Sequence, residues 1–433
     1  MRFLYNLLFN IGFLISAPWY FVKMYRREGW KDGFGERFGL YSARLKQALT
    51  NRQVVWFHAV SVGEVNLCTQ LIRAVEPHLP LHTIVVSTTT STGMALLKER
   101  LPQHIHKVYY PIDRRKHVLR AIGLIHPSAV ILVEAEIWPN LLWILQRRGI
   151  PHLLVNARLS ERSFRGYRRF AFLFRPLFAG FTGVGAQNEG DAERLRQLGC
   201  RPEAIHVVGS LKFDSVRIDE RKSVSASAIL AQLGVPADAL VLVAGSTHDG
   251  EERILAEVCR RLKPRFPNLF PVLVPRHQER GSAVGADLAA LGMRYVFRKD
   301  ILPRTQFEAG SVECLVVNTT GELLHFYQRA DVVFVGKSLT AEGGQNPIEP
   351  AALGKAVLFG PNMQNFPDIA PAFVRMGGAF QVADVAELEK VIGELLADPS
   401  RRQAMGLKAK EVVRENQGSI GRTAEMILEA VGN

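Results

Sequence analysis

Residues 129–140 read AVILVEAEIWPN, and the order of residue types in that stretch decides the fold. AVILV is an unbroken apolar run, without the polar alternation of a strand that keeps one face in water. Such a run suits a strand covered on both faces, as in a parallel sheet flanked by helices. Glu134 and Glu136 end it, and Pro139 suits the first turn of a following helix. The pattern recurs outward in both directions. Upstream lie VVWFHA (54–59), TIVVST (83–88) and KVYY (107–110); downstream come HLLVNA (152–157), FTGVGAQ (181–187) and IHVVGS (205–210). After a polar stretch near 215–235 it restarts with LVLVAGS (240–246), FPVLVPR (270–276), CLVVN (314–318), VVFVG (332–336) and AVLFG (356–360). Helix-length segments separate the runs, so the expectation is an α/β protein with two doubly wound, Rossmann-like domains facing a cleft. The runs end on His58, Glu134, Asn156, Ser246, Arg276 and Asn318, where open α/β sheets bind ligands.

The length of 433 residues agrees with two domains rather than one core. The division expected is an anchor over 1–30, a first domain over 31–215, a linker over 216–235, a second domain over 236–410 and a C-terminal helix over 411–433. Apolar residues at 47% and charged residues at 22% exclude wholesale disorder. Cys68, Cys200, Cys259 and Cys314 form no CxxC pair, which argues against a disulfide framework or a zinc ribbon. Charge is unevenly placed. Residues 1–200 hold 27 Lys+Arg against 13 Asp+Glu, and the rest hold 27 against 28. The first half is therefore suited to an anionic surface: nucleic acid, acidic lipid or a phosphorylated substrate.

Phe3 to Val22 is a run of twenty residues without a charge, and as a helix it rises about 30 Å, the thickness of a hydrocarbon core. Lys23, Arg26, Arg27 and Lys31 follow as a cytoplasmic flank would, and Trp19 and Tyr20 sit at the interfacial belt. The length favours a membrane-spanning anchor; Asn6, Asn10 and Pro18 leave open a helix lying in the interface or packed into the core. No small-x-small cleavage site marks a signal peptide.

Several familiar chemistries fail. DVVFVGKS (331–338) has Asp331 where a P-loop needs its first glycine, and GVGAQN (183–188) breaks the dinucleotide fingerprint at Asn188. There is no GxSxG, no HExxH and no histidine pair at ligand spacing. Other segments carry chemistry. In HAVSVGEV (58–65), Ser61 and Glu64 have the spacing of a capping box, and Glu64 at a helix start can equally serve as a general base. On a strand, Glu134 and Glu136 would share a face and raise each other's pKa, or one of them would cap the helix at Pro139. ARLSERSFRGYRRFAFLFRPLF (157–178) sets Arg158, Arg162, Arg165, Arg168, Arg169 and Arg175 among aromatics. That stripe suits an anionic membrane surface or phosphate groups better than nucleic acid, and a solvated helix face is the plainer alternative. AGSTHDGEE (244–252), VPRHQER (274–280), TTGEL (319–323) and EGGQNPIEP (342–350) each follow a strand and could hold phosphate or ribose.

At these segments the chain resembles the bacterial 3-deoxy-D-manno-octulosonic acid (Kdo) transferases. HAVSVGEV, VEAEIWPN, NARLSERS, VGSLKFD, AGSTHDGEE, VPRH, TTGELLHFY and EGGQNPIEPAALGKAVLFGP carry the resemblance, in family order from residue 58 to about 361. It implies a GT-B glycosyltransferase that moves Kdo from CMP-Kdo to a lipid A precursor at the inner membrane. No cofactor, metal or nucleic acid is implied. By the same resemblance Glu64 is the catalytic base, and Glu134 and Lys212 steady the transition state. Pro275, Arg276, Thr320, Gly321, Glu322, Asn346, Pro347, Ile348 and Glu349 would contact CMP. Arg158, Arg162, Arg165, Arg168 and Arg169 would face acceptor or membrane. Lys337, where many relatives carry glycine, and NTTGEL in place of DTMGEL depart from the pattern beside the nucleotide site. The alternatives are a GT-B transferase or epimerase using a UDP donor, and a non-catalytic binder of acidic lipid.

Overall fold

The computed structural model describes residues 2–25, 31–134, 136–214 and 225–432. They form two compact units. The first holds the described residues up to Asp214 together with those from Gln417 onward; the second holds those between.

The first unit is built on seven parallel strands: β1 (Gln53–His58), β2 (His82–Thr88), β3 (His106–Tyr109), β4 (Pro127–Val133), β5 (His152–Ala157), β6 (Gly183–Ala186) and β7 (Ile205–Val207). Their order is β3-β2-β1-β4-β5-β6-β7, with Val55 beside Ile84 on one side and Ala129 on the other. Because side chains alternate across a strand, Val54 and Trp56 pack on one face of the sheet and Val55 and Phe57 on the other. Helices cover both faces, which is why the runs lack alternation. The face carrying Phe57, Ile131 and Val133 also takes Ile427, fully buried, from the helix Ser419–Gly432. The end of the chain thus completes the core of the first unit. Chain order reverses between the neighbours β1 and β4, so the loops leaving them diverge and open a crevice at their carboxyl ends.

The second unit repeats the scheme with β8 (Leu240–Thr247), β9 (Leu269–Pro275), β10 (Tyr295–Phe297), β11 (Cys314–Val316), β12 (Val332–Val335), β13 (Ala356–Phe359) and β14 (Ala379–Gln381). All are parallel, in the order β10-β11-β9-β8-β12-β13-β14, and the reversal falls between β8 and β12. That junction is tight. A side chain on Gly245 would collide with the Tyr327 hydroxyl, and one on Gly336 with the backbone of Thr247. The helix Pro399–Asn416 runs across the boundary expected at 410, and Ala226–Gln232, placed in the linker by sequence, is a helix of the second unit. The start of that linker, 216–224, lies outside the described residues.

The expectation of a membrane-spanning anchor is corrected. Residues Arg2–Tyr25 do form one helix, yet no helix among the described residues is long and apolar enough to cross a membrane. Asn6, Asn10, Ser16 and Pro18 dilute its apolar character, and two of its polar groups are used for docking on the fold. Tyr5 donates its hydroxyl to Asp113 at 2.9 Å, and the Asn6 side-chain carbonyl accepts from Asn140 at 3.0 Å. The Tyr5 ring meets Trp143 edge-on at 5.4 Å. Phe3, Leu8, Leu14, Ile15 and Trp19 remain exposed. Arg26 and Arg27 of the basic flank lie outside the described residues.

Candidate active site

The crevice of the first sheet is built from the ends of β1, β4 and β5. After β1 the chain turns through Val60, whose carbonyl accepts the Thr88 and Thr90 hydroxyls at 3.2 and 3.3 Å, and enters the helix Val62–Val75. Ser61 is the N-cap, its hydroxyl accepting the Glu64 N–H at 3.2 Å, while Glu64 Oε2 accepts the Val60 N–H at 2.8 Å. The capping reading of Glu64 is therefore observed, worth about 1 kcal/mol to the helix start. It uses one oxygen. Among the described residues no hydrogen bond is made to Glu64 Oε1, so the carboxylate is held in place and still has a lone pair for a proton. His58 does not compete for that role. It is fully buried, its imidazole is driven down to about 3 by burial, and it stacks on Tyr110 with ring centroids 4.0 Å apart.

The expectation that Glu134 and Glu136 share a strand face is corrected. β4 stops at Val133, and Glu134 takes a left-handed φ of +62°. Neither carboxylate caps the helix Pro139–Arg148. Asp113 does so from across the fold, accepting the N–H groups of Asn140 at 3.0 Å and Leu141 at 3.1 Å. Glu136 accepts the Trp138 indole N–H at 2.7 Å. Burial raises the Glu134 carboxyl, Glu64 raises it further, and Lys212 and Arg158 oppose this. Burial, then Glu64, push Glu136 up to about 7. Three carboxylates thus bear on one another in this crevice, and Lys212 and Arg158 supply the compensating charge.

Asn156 organises this group. It ends β5 with a φ of +53° and is fully buried. Its amide donates to Glu134 Oε1 at 3.4 Å, and its side-chain carbonyl accepts the Leu211 N–H at 3.2 Å. Leu211 begins the one-turn element Leu211–Asp214 that carries Lys212. The other end of that turn is fixed by Asp214, which accepts the N–H groups of Gly418 at 2.8 Å and Ile420 at 2.7 Å. Burial lowers the Lys212 ammonium, against the pull of Glu134. Glu64, Glu134, Lys212 and Arg158 are thereby brought to one place. Asn156 and Glu136, outside the predicted set, join them; both had been legible as polar residues at strand ends.

The arginine stretch divides into the helices Glu161–Arg169 and Ala171–Phe178. Arg162, Arg165, Arg168 and Arg169 are exposed, and Arg158 is half-buried beside Glu134. The aromatic half of the stripe is corrected. Phe164 and Phe178 are buried, Tyr167 and Phe174 pack against the core, and only Phe170 and Phe172 of the six face solvent. A pocket of about 580 Å³ opens elsewhere on this unit, where Arg2, Arg115, Arg147 and Arg148 surround Phe3 and Trp143.

In the second unit Pro275 ends β9 and Arg276 is exposed just beyond it, its N–H bonded to the Thr247 carbonyl at 3.0 Å. Thr320 and Gly321 are exposed in the turn that leads to the helix Leu323–Arg329. The Glu322 carboxylate is engaged by Arg298 at 3.1 Å and by the Thr319 hydroxyl at 2.7 Å, so it braces the turn rather than standing free for a ribose. Asn346 accepts the Ile348 N–H at 3.1 Å and donates to Glu349 at 3.1 Å; Pro347 and Ile348 are buried beneath. Burial raises the Glu349 carboxyl, with Asn346 and Arg276 opposing. The loop VGKSL offers no phosphate cradle of the P-loop kind, because Glu251 already accepts the N–H groups of Lys337, Ser338 and Leu339 at 2.7–2.9 Å.

A family profile described as 3-Deoxy-D-manno-octulosonic-acid transferase (kdotransferase) matches residues 32–215. The 3-deoxy-D-manno-octulosonic acid transferase of Bordetella pertussis is 33% identical over 96% of this chain and 97% of its own. The chain belongs to that family. The Haemophilus influenzae 3-deoxy-D-manno-octulosonic acid transferase is 31% identical over 92% of this chain and 91% of its own. A UDP-GlcNAc 2-epimerase from Neisseria meningitidis superposes with a TM-score of 0.59 at 13% identity, over 88% of this chain and 99% of its own. At that identity it speaks for the fold alone, a GT-B-like α/β architecture. The chain is a Kdo-transferring glycosyltransferase.

Proposed function

We propose that the chain moves Kdo from CMP-Kdo to a hydroxyl of a lipid A precursor, with inversion, at the cytoplasmic face of the inner membrane. The observation that carries the reading is Glu64, held by Val60 through one oxygen at the switch point of the first sheet, beside Glu134 and Lys212. In this reading the first unit activates the acceptor and the second binds the nucleotide. Glu64 takes the proton of the acceptor hydroxyl as its oxygen bonds to the anomeric carbon of Kdo. The bond from that carbon to the phosphate oxygen breaks with its electron pair, and CMP leaves as a phosphate monoester. Glu134 stabilises the oxocarbenium character of the transition state, and Lys212 answers the Kdo carboxylate. Arg276 meets the charge that grows on the phosphate. A monophosphate leaving group presents no diphosphate for a divalent cation to bridge, so turnover is expected to persist in chelator.

The membrane reading moves from a spanning helix to one lying on the surface. The exposed apolar residues of Arg2–Tyr25 would enter the interface, and the pocket lined by Arg2, Arg115, Arg147 and Arg148 would receive anionic headgroups. Donor competition tests the function. CMP should inhibit transfer and UDP should not; the reverse result would return the chain to the UDP-using alternative.

A further inference from the structure

We propose that Lys337 is a donor-binding residue of this chain, placing its ammonium against the phosphate of the cytidine nucleotide at the β8–β12 switch point. The inference rests on the reading of the second unit as the donor side.

Lys337 stands two residues beyond β12, where the order of the second sheet reverses. Its backbone is left-handed, φ +55°, a conformation that L side chains disfavour and glycine adopts freely. The loop holds it there. Its N–H goes to Glu251 at 2.7 Å, its carbonyl accepts from Gly344 at 2.8 Å, and the Gln345 N–H returns to the Gly336 carbonyl at 3.1 Å. The half-buried side chain reaches back over this loop, its Nζ within 3.4 Å of where a Cβ on Gly343 would stand. A side chain is thus carried at a position whose backbone favours none, and what it contributes is a charge.

That charge joins others. Arg276 and His277 follow β9, and His248 follows β8, its ring 6.1 Å from that of His277. Burial chiefly lowers the His248 imidazole, and Lys337 and His277 lower it further against the Ser246 carbonyl and Glu251, so these groups sense one another. The carboxylates nearby are committed elsewhere. Glu251 is fully buried and takes four backbone N–H groups, from His248, Lys337, Ser338 and Leu339. Asp249 pairs with Arg280 at 3.0 Å. Among the described residues neither Lys337 nor Arg276 forms an ion pair. Basic groups from three strand ends gather with only the buried Glu349, hydrogen-bonded to Asn346, bearing on Arg276, and that excess of positive charge is a site for an anion. A phosphate whose charge rises as its bond to Kdo breaks fits it.

The test compares CMP with cytidine by calorimetry on the full chain. Lys337→Gly suits the observed φ, so the variant should melt no lower than the parent. It should bind CMP about tenfold more weakly and cytidine unchanged, and Lys337→Arg should recover part of the loss. Equal CMP affinity in parent and Lys337→Gly would overturn the assignment alone. Equal losses for CMP and cytidine would overturn it too, by showing that the lysine merely shapes the loop. Absence of CMP binding to the unaltered chain would overturn the donor reading and this assignment with it.

Discussion

Glu64 accepts the N–H of Val60 at 2.8 Å, so the carboxylate that begins a helix is also fastened to the loop leaving β1. A flexible glutamate would spend most of its time away from an acceptor hydroxyl. This one is oriented by the cap before any substrate arrives. The cap and the base are one arrangement, and each oxygen has its own part.

Asn156 is expected to act on catalysis through Glu134. Asn156→Asp keeps an acceptor for the Leu211 N–H and tolerates the positive φ, but replaces the donor to Glu134 with a like charge. Glu134 should then hold its proton to higher pH. The acid limb of the kcat profile should move upward and kcat at neutral pH fall roughly tenfold, with the KM for CMP-Kdo unchanged. Steady-state rates across pH decide it. A lower melting temperature with an unmoved acid limb would leave Asn156 a purely structural role.

Glu136 gives a stability signature. Its folded carboxyl is held up to about 7, above the ordinary 4.5, so the stability it lends is complete below about pH 4.5 and is lost as pH rises towards 7. Glu136→Gln removes that slope. Between about pH 5 and 8 the variant should gain on the parent by on the order of 1–3 kcal/mol. All five tryptophans lie in residues 1–143, so urea melts followed by their fluorescence report the first unit alone. Parallel slopes for parent and variant would remove the carboxylate cluster from the account.

Much of this was legible in the sequence. Apolar runs located every strand that is buried on both faces, because a parallel sheet leaves no other pattern. β10 and β14 escaped, being three-residue edge strands with half-exposed side chains at Tyr295 and Phe380. The Ser61–Glu64 spacing gave the cap, since capping is local. Long-range relationships were not legible. Nothing near Pro139 announces that Asp113 will cap its helix, or that Asn6 will dock on Asn140 rather than enter lipid. The same limit hid the partners of Asn156, which lie 22 and 55 residues away. Phe164 and Tyr167 misled because an aromatic stripe looks alike whether it meets lipid or a sheet.

The C-terminal helix should stabilise the first unit although the second unit separates them in the chain. Ile427 is fully buried against β4 and β5 side chains. Ile427→Ala should cost about 2–4 kcal/mol in the tryptophan-detected melt. An unchanged melt would contradict its place in that core.

The exposed arginines are expected to draw the protein to anionic lipid. Reversing charge at Arg165 and Arg168 together should weaken sedimentation with vesicles containing phosphatidylglycerol several-fold, and most at low salt. Binding unchanged by the double variant would assign recruitment elsewhere, with the N-terminal helix first in line.

The most direct measurement is a mass-spectrometric assay of Kdo transfer from CMP-Kdo to a lipid A precursor in EDTA, comparing the parent with Glu64→Gln. Glutamine can still accept the Val60 N–H, so the fold and CMP binding should persist while kcat falls by about 10²–10⁴. The parent should add Kdo without a divalent cation. Full activity in Glu64→Gln would contradict the account and leave Glu64 as a helix cap.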